Sequence, residues 1–181
     1  MVRRILLLVT ALALAGCGGG SGIDEPGEPQ SITVTSAAFT DGGPIPTEFT
    51  CAGAGSSPPV SWSGVPGEAK SLVLEVQDPD APGGSYVHWL AVNLPPENGN
   101  IAAGAPAPGV ERENSADETG WTPPCPPSGT HHYHFRIYAL DVDAVPEADA
   151  AGVSKVVDQH LVAWGELVGT VAAGSSGGGG Y

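Results

Sequence analysis

The fold is best predicted from the stretch between residues 71 and 82, which reads SLVLEVQDPDAP. Leu72, Leu74 and Val76 alternate with other residues, and this period of two is typical of a β-strand with one face toward a core. Asp78 continues the same face at the point where the strand ends. Because a carboxylate is costly to bury without partners, we expect Asp78 to meet hydrogen-bond donors. Two prolines then restrict the turn that follows.

Similar short runs, rich in β-branched and aromatic residues, recur along the chain and are separated by Gly and Pro. They are residues 32–35, 87–93 and 134–140, and a stretch within 161–171. A helix is predicted at 151–160, where apolar residues recur at helical spacing. No internal repeat is visible. Several short strands between turn residues are typical of a sandwich or a barrel, so we predict one mainly β domain.

A second group of polar residues follows a proline-rich loop. Residues 120–135 read GWTPPCPPSGTHHYHF. Alternation places His131 and Tyr133 on one face of the following strand, with His132 and His134 on the other. Two polar side chains at the start of a face that becomes apolar suit the mouth of a pocket. In the run 87–93, the same counting places His88 on one face with Leu90 and Val92.

The beginning of the chain predicts export. In residues 1–16, two arginines precede about ten apolar residues, which is the pattern of a signal peptide and is shorter than the roughly 20 residues that a spanning helix needs. Residues 14–17, Leu-Ala-Gly-Cys, resemble the lipobox of prokaryotic lipoproteins. That resemblance implies cleavage before Cys17, acylation of Cys17, and anchoring on the outer side of the cytoplasmic membrane or elsewhere in the cell envelope. The alternative is an ordinary signal peptide with a chance cysteine.

The composition divides the remaining chain into three parts. Residues 17–30 are rich in Gly and Pro and carry nothing that can bury an apolar face, so we predict a flexible tether. Residues 31–172 form the domain. Residues 173–181 are mostly Gly and Ser and predict a disordered tail.

Charge and cysteine content limit the partners and the compartment. With 20 acidic and 6 basic residues, the formal net charge is −14. This excess argues against binding to nucleic acid and against electrostatic attraction to anionic lipid. Beyond Cys17 the chain carries Cys51 and Cys125. In an exported protein such an even pair favours a disulfide, and two separate buried thiols are the alternative.

Taken together, the motifs resemble the phosphatidylethanolamine-binding (Raf-kinase-inhibitor-like) family, in particular its prokaryotic branch. The matching residues are Ser57-Pro58-Pro59-Val60-Ser61-Trp62, residues 71–76, Asp78-Pro79-Asp80-Ala81-Pro82, His88-Trp89, Pro124-Cys125-Pro126-Pro127, Gly129, His131, Tyr133 and Tyr138-Ala139-Leu140-Asp141. The resemblance implies an antiparallel β-sandwich with short peripheral helices. It also implies a small cavity that accepts phosphate, acetate-like anions or the phosphoryl end of a phospholipid.

The resemblance assigns the pocket to particular residues. Its polar groups fall on Asp78, His88, His131 and Tyr133, and its walls fall on Pro82 and on the Pro123–Pro127 loop that contains Pro124. We expect imidazole N–H groups and the tyrosine hydroxyl to donate to anion oxygens, while the carboxylate fixes a histidine tautomer or accepts from the ligand. No cofactor is expected. If histidine charge contributes, anions bind more tightly as the pH falls through about 6 to 7.

Two positions depart from the family pattern. Pro123 stands where the family usually has Gly, which removes a backbone N–H that could serve an anion. His132 stands where the family commonly has Arg. If that Arg holds neighbouring carboxylates, His132 is expected to do so only when it is protonated.

Three other functions are alternatives to binding. Catalysis is disfavoured, because no nucleophile stands in a recognisable setting and no Gly-x-Ser-x-Gly motif is present. His132 and His134, with His88 or His160, have a spacing compatible with zinc, although solvated surface histidines are the simpler interpretation. The third alternative is a regulator of the protease-inhibitor or kinase-inhibitor type. For an exported protein, its partner would be a protease or an envelope protein.

Overall fold

The computed structural model of the chain describes residues 22–23, 31–146 and 148–174. The predicted signal peptide, Cys17, most of the predicted tether and the tail from residue 175 lie outside the described residues. The elements, in chain order, are β1 (Thr33–Thr35), β2 (Gly43–Pro44), a 3-10 turn (Thr47–Phe49), β3 (Val60–Ser63), β4 (Ser71–Asp78), β5 (Tyr86–Leu94), β6 (Gly99–Ile101), β7 (Val110–Glu111), β8 (Thr130–Leu140), α1 (Ala150–His160) and β9 (Leu161–Ala172). No helix in the described ranges is long and apolar enough to cross a membrane.

The strands form two sheets. The smaller has the order β1-β3-β6, and the larger has the order β2-β9-β8-β4-β5-β7. Pairing is antiparallel except between β2 and β9, where two residue pairs run parallel. The predicted antiparallel β-sandwich is therefore confirmed, and each predicted strand has a counterpart in the structure. The predicted helix at 151–160 is observed as α1.

Alternation along β4 and β8 creates two apolar clusters, one on each face of the larger sheet. Leu72, Leu74 and Val76 face the cluster shared with the smaller sheet, as predicted. Val73 and Tyr138 face the second cluster, on the side covered by Val153 and Val157 of α1. Because the sheet is covered on both faces, all eight residues of β4 are buried.

The prediction that His88 shares a face with Leu90 and Val92 is wrong. The register between β4 and β5 shifts between Val76 and Gln77, so that Val76 pairs with Trp89 and Gln77 pairs with Val87. A β-bulge of this kind inserts one residue and reverses the alternation beyond it. Leu90 and Val92 face the helix side, whereas the His88 ring lies against Tyr133 on the opposite side.

The structure also differs from the sequence prediction at Ile23, within the predicted tether. This side chain is 1% exposed and belongs to the apolar cluster on the helix side. A segment expected to bury nothing therefore places one isoleucine in the core. The tether contains a single large apolar residue, which is too weak a signal for a pattern-based prediction.

Candidate functional site

The centre of the site is a hydrogen bond between Asp78 and His131. The end of β4 lies beside the beginning of β8, because the register opposes Gln77 to His134. His131 Nδ1 lies 2.7 Å from Asp78 Oδ2, and both side chains are buried. The second carboxylate oxygen, Oδ1, accepts from the backbone N–H of Asp80 at 2.9 Å. The expected donors to this carboxylate are therefore present, and the turn after β4 supplies one of them.

His88 is held by the loop that precedes β8. Its Nδ1 lies 2.8 Å from the carbonyl oxygen of Thr122, and the backbone N–H of Thr122 donates to the His88 carbonyl, also at 2.8 Å. A carbonyl oxygen can only accept, so Nδ1 must carry the proton. The neutral ring then has a lone pair at Nε2. The expectation that neutral His88 donates an N–H to an anion therefore does not hold.

Aromatic rings surround the imidazole of His88. The ring centroids of Tyr86, Tyr133 and Trp121 lie 4.8, 5.2 and 6.3 Å from that of His88. Burial among these rings lowers the pKa of His88 to about 4, although the bond to Thr122 and the nearby carboxylate of Asp78 act in the opposite direction. His88 is therefore neutral at physiological pH.

The structure thus brings four of the predicted site residues together. Asp78, His88 and Tyr133 are 0% exposed, and His131 is the one of the four that keeps any exposure, at 5%. The two predicted wall residues are placed differently. Pro82 is exposed in the turn after β4, and Pro124 is buried.

The loop that contains Pro124 is fixed to the rest of the domain by a disulfide. Cys51 and Cys125 are bonded, with an S–S distance of 2.08 Å. The carbonyl oxygen of Pro124 also accepts from the backbone N–H of Cys51 at 3.0 Å. The preferred interpretation of the cysteine pair is confirmed. The disulfide holds the loop whose Thr122 orients His88.

The other histidines bind separate carboxylates. Nδ1 lies 2.8 Å from the carboxylate of Asp80 for His132, of Glu166 for His134 and of Asp141 for His160. Among the described residues, no group of three His, Cys, Asp or Glu side chains is arranged to hold a metal. His132 can hold Asp80 as a neutral Nδ1–H donor, so the expectation that it must be protonated is unnecessary.

Sequence reasoning missed two residues of the site. Thr122 acts through its backbone, and no side-chain pattern reports a carbonyl that orients a histidine. Tyr86 begins β5 only two residues before His88, so its proximity could have been suspected from alternation. Trp121, the residue before Thr122, contacts His88 and also Phe135, whose ring centroid lies 6.1 Å away.

The chain is similar in sequence to one protein family and to several individual proteins. The family model described as phosphatidylethanolamine-binding protein matches residues 35–172. A UPF0098 protein of Chlamydia trachomatis is 47% identical over 149 residues, which cover 77% of this chain and 97% of that protein. LppC of Mycobacterium tuberculosis, whose name describes it as a lipoprotein, is 39% identical over 185 residues. The match covers 90% of this chain and 92% of LppC.

Solved structures agree with these relatives. The phosphatidylethanolamine-binding protein homologue CT736 of Chlamydia trachomatis has a TM-score of 0.74 and 44% identity, covering 79% of this chain and 98% of its own. E. coli YbcL, described as a member of the mammalian phosphatidylethanolamine-binding protein family, has a TM-score of 0.73 and 30% identity. The match covers 78% of this chain and 98% of YbcL. From the family model and these relatives, the chain belongs to the phosphatidylethanolamine-binding protein family.

Proposed function

We propose that the domain binds small anions or phosphorylated headgroups without catalysing a reaction. The observation that carries this proposal is the buried pair of Asp78 and His131, with His88 and Tyr133 beside it. Because the carboxylate holds Nδ1–H, it fixes both the tautomer and the orientation of the imidazole ring. The other ring nitrogen, Nε2, then points in a defined direction. Backbone amides and tyrosine hydroxyls can complete such an anion site.

The hydrogen bonds make binding depend on a proton. Both His88 and His131 use Nδ1 as a donor, so each neutral ring has an acceptor at Nε2. A fully deprotonated anion oxygen is also an acceptor. Contact at either Nε2 therefore needs one proton, carried by His131 or by the ligand. Acetate and the phosphoethanolamine dianion carry none at their anionic oxygens, so we expect both to bind more tightly at pH 6 than at pH 8, with net proton uptake. Inorganic phosphate already carries a proton at pH 8 and should show the smaller change.

The test is calorimetric titration of the full chain in detergent with inorganic phosphate, phosphoethanolamine, glycerophosphoethanolamine and acetate. Titrations in two buffers of different ionisation enthalpy measure proton uptake. His131→Ala should weaken phosphoethanolamine binding by about 10- to 100-fold, the range for a lost hydrogen bond to a charged group. His132→Ala is the matched control, since His132 is the next residue but is exposed on the other face.

The four ligands separate the chemical sources. Binding of phosphoethanolamine above inorganic phosphate would assign a headgroup, and equal binding would assign the phosphoryl group itself. If His131→Ala keeps the affinity of the unmodified chain while its unfolding midpoint is unchanged, the proposal fails.

We also propose that the domain is exported and anchored through acylated Cys17. The lipobox-like residues 14–17 and the lipoprotein name of the mycobacterial relative support this location. Two or more acyl chains on one residue are sufficient for stable anchoring.

A further inference from the structure

A buried polar cluster lies on the helix side of the larger sheet, across the sheet from the proposed anion site. Glu75 and Arg136 are paired residues of β4 and β8, and they are 0% and 5% exposed. Arg136 Nε donates to Glu166 Oε2 at 2.6 Å, and Tyr138 OH donates to Glu75 Oε2 at 3.3 Å. Charged groups are costly to bury, and apolar residues of similar volume would stabilise the fold equally well or better. The cluster therefore needs an explanation beyond packing.

The described residues Gly22 and Ile23 lie on this cluster, and Ile23 is recognised through both of its backbone groups. Its N–H donates to Glu75 Oε1 at 3.0 Å, and its carbonyl oxygen accepts from Arg136 Nη1 at 3.3 Å. The side chain meanwhile enters the apolar cluster beside the polar groups. Main-chain hydrogen bonds together with a pocket for one side chain are the elements of peptide recognition.

The position before the isoleucine is also restricted. A Cβ atom added to Gly22 would lie 1.6 Å from Gln77 Nε2. Gln77 cannot move freely, because its Oε1 accepts from Arg136 Nη1 at 2.9 Å. A residue larger than glycine at this position would therefore disturb the same guanidinium that binds the carbonyl of Ile23.

We propose that this cluster is a peptide-binding site selective for glycine followed by a branched apolar residue, and that its resident ligand is Gly22–Ile23 of the same chain. Glu75 and Arg136 are directly paired on neighbouring strands. Their spacing allows the carboxylate to bind the N–H of one residue while the guanidinium binds the C=O of the same residue. The site is distinct from the Asp78–His131 pair, since Gln77 and Asp78 face opposite sides of β4.

The docking has a geometric consequence, which rests on the proposed acylation of Cys17. Five residue steps separate Cys17 from Gly22, and they span at most about 18 Å. The undocked spacer of residues 18–30 would reach more than twice as far. Docking would therefore hold Gly22, on the helix side of the sheet, within about 18 Å of the membrane and restrict the rotation of the domain.

Amide hydrogen exchange on the full chain in detergent tests the docking. We expect the Ile23 amide to exchange at least about 100-fold more slowly than the intrinsic rate for the same sequence in a short peptide. Ile23→Ala should reduce the protection at residue 23 by about 10- to 100-fold, from the apolar area lost. Exchange of the Ile23 amide at the intrinsic rate would overturn the proposal.

Binding in trans tests whether the cluster is a separable site. The probe is a fluorescent hexapeptide with the sequence of residues 20–25, Gly-Ser-Gly-Ile-Asp-Glu. The full chain with Ile23→Ser should bind it, the unmodified chain should bind it at least tenfold more weakly, and a peptide with Ala in place of the second Gly should not bind. Lack of binding to a folded Ile23→Ser chain at millimolar peptide would refute a separable site.

His131→Ala provides the control that separates this proposal from the headgroup site. It should leave peptide binding to the Ile23→Ser chain unchanged, and Ile23→Ser should leave phosphoethanolamine binding unchanged. Either proposal can therefore fail alone.

Discussion

Asp78 uses both carboxylate oxygens within the protein, one for His131 and one for the backbone N–H of Asp80. The bond to His131 fixes the tautomer and the direction of that imidazole ring. His88 is fixed in the same way by a backbone carbonyl. At the residue scale, the site consists of two oriented imidazoles that are both acceptors when neutral.

Burial of His88 makes the stability of the protein sensitive to acid. The pKa of His88 is about 4 in the folded protein against 6.5 when the ring is solvated, so the unfolded chain binds the proton first. The contribution is fully present above pH 6.5 and is lost as the pH falls to 4. It amounts to about 3 kcal/mol of unfolding free energy.

Urea unfolding at pH 7 and pH 4 measures this contribution. We expect the loss between the two pH values to be about 3 kcal/mol smaller in His88→Asn, whose amide can still donate to the Thr122 carbonyl. An equal loss in both proteins would contradict the assignment.

At the element scale, the backbone of β9 lies in close contact with the backbone just before β1, and this contact requires a glycine. A Cβ atom on Gly165, in β9, would lie 1.9 Å from the carbonyl oxygen of Ile32, just before β1. Because backbone atoms cannot move aside as a flexible side chain can, we expect Gly165→Ala to lower the unfolding free energy by about 1–3 kcal/mol, as overpacking does.

The matched control for Gly165 is Gly67→Ala. Nothing lies within 4 Å of a Cβ at Gly67, so its effect should stay within about 0.5 kcal/mol. Thermal or urea unfolding compares the two variants, and similar effects at both positions would contradict the steric argument.

The disulfide connects two loops rather than two strands, and it closes a segment with a sequence separation of 74. In the chain-entropy model, a bridge of this length contributes about 4 kcal/mol. We expect Cys51→Ser with Cys125→Ser to lower the unfolding free energy by about that amount. Urea unfolding with and without reductant measures the difference. Reductant should destabilise the unmodified chain and leave the double variant unchanged.

At the scale of the whole molecule, the larger sheet separates two polar clusters. One face carries Asp78, His88, His131 and Tyr133, and the other carries Glu75 and Arg136 with the docked Ile23. The chain has a formal net charge of −14. The proposed anion would therefore have to be bound by local donors, because the overall field of the protein repels it.

The anchor is tested at this scale by Cys17→Ser. The unmodified chain, expressed in a bacterium that processes lipoproteins, should appear in the membrane fraction and incorporate labelled palmitate. The variant should lose the label and leave the membrane fraction. A variant that stays with the membrane would show that another segment anchors the protein.

The strands, the helix and the faces of Asp78, His131 and Tyr133 could be predicted from the sequence, because periodicity and turn residues are local properties of the chain. That these side chains meet His88 at one site was implied only by the family resemblance. Leu72, Leu74, Val76 and Asp78 share a face for that reason. The disulfide between Cys51 and Cys125 was expected from an even pair of cysteines together with the predicted export. The tertiary structure alone decided the face of His88, which depends on a bulge set by pairing with β4. It also decided the tautomer of His88, set by a carbonyl 34 residues away, and the burial of Ile23, which depends on charges from two other strands. These features arise between distant segments, and no local pattern records which segments meet.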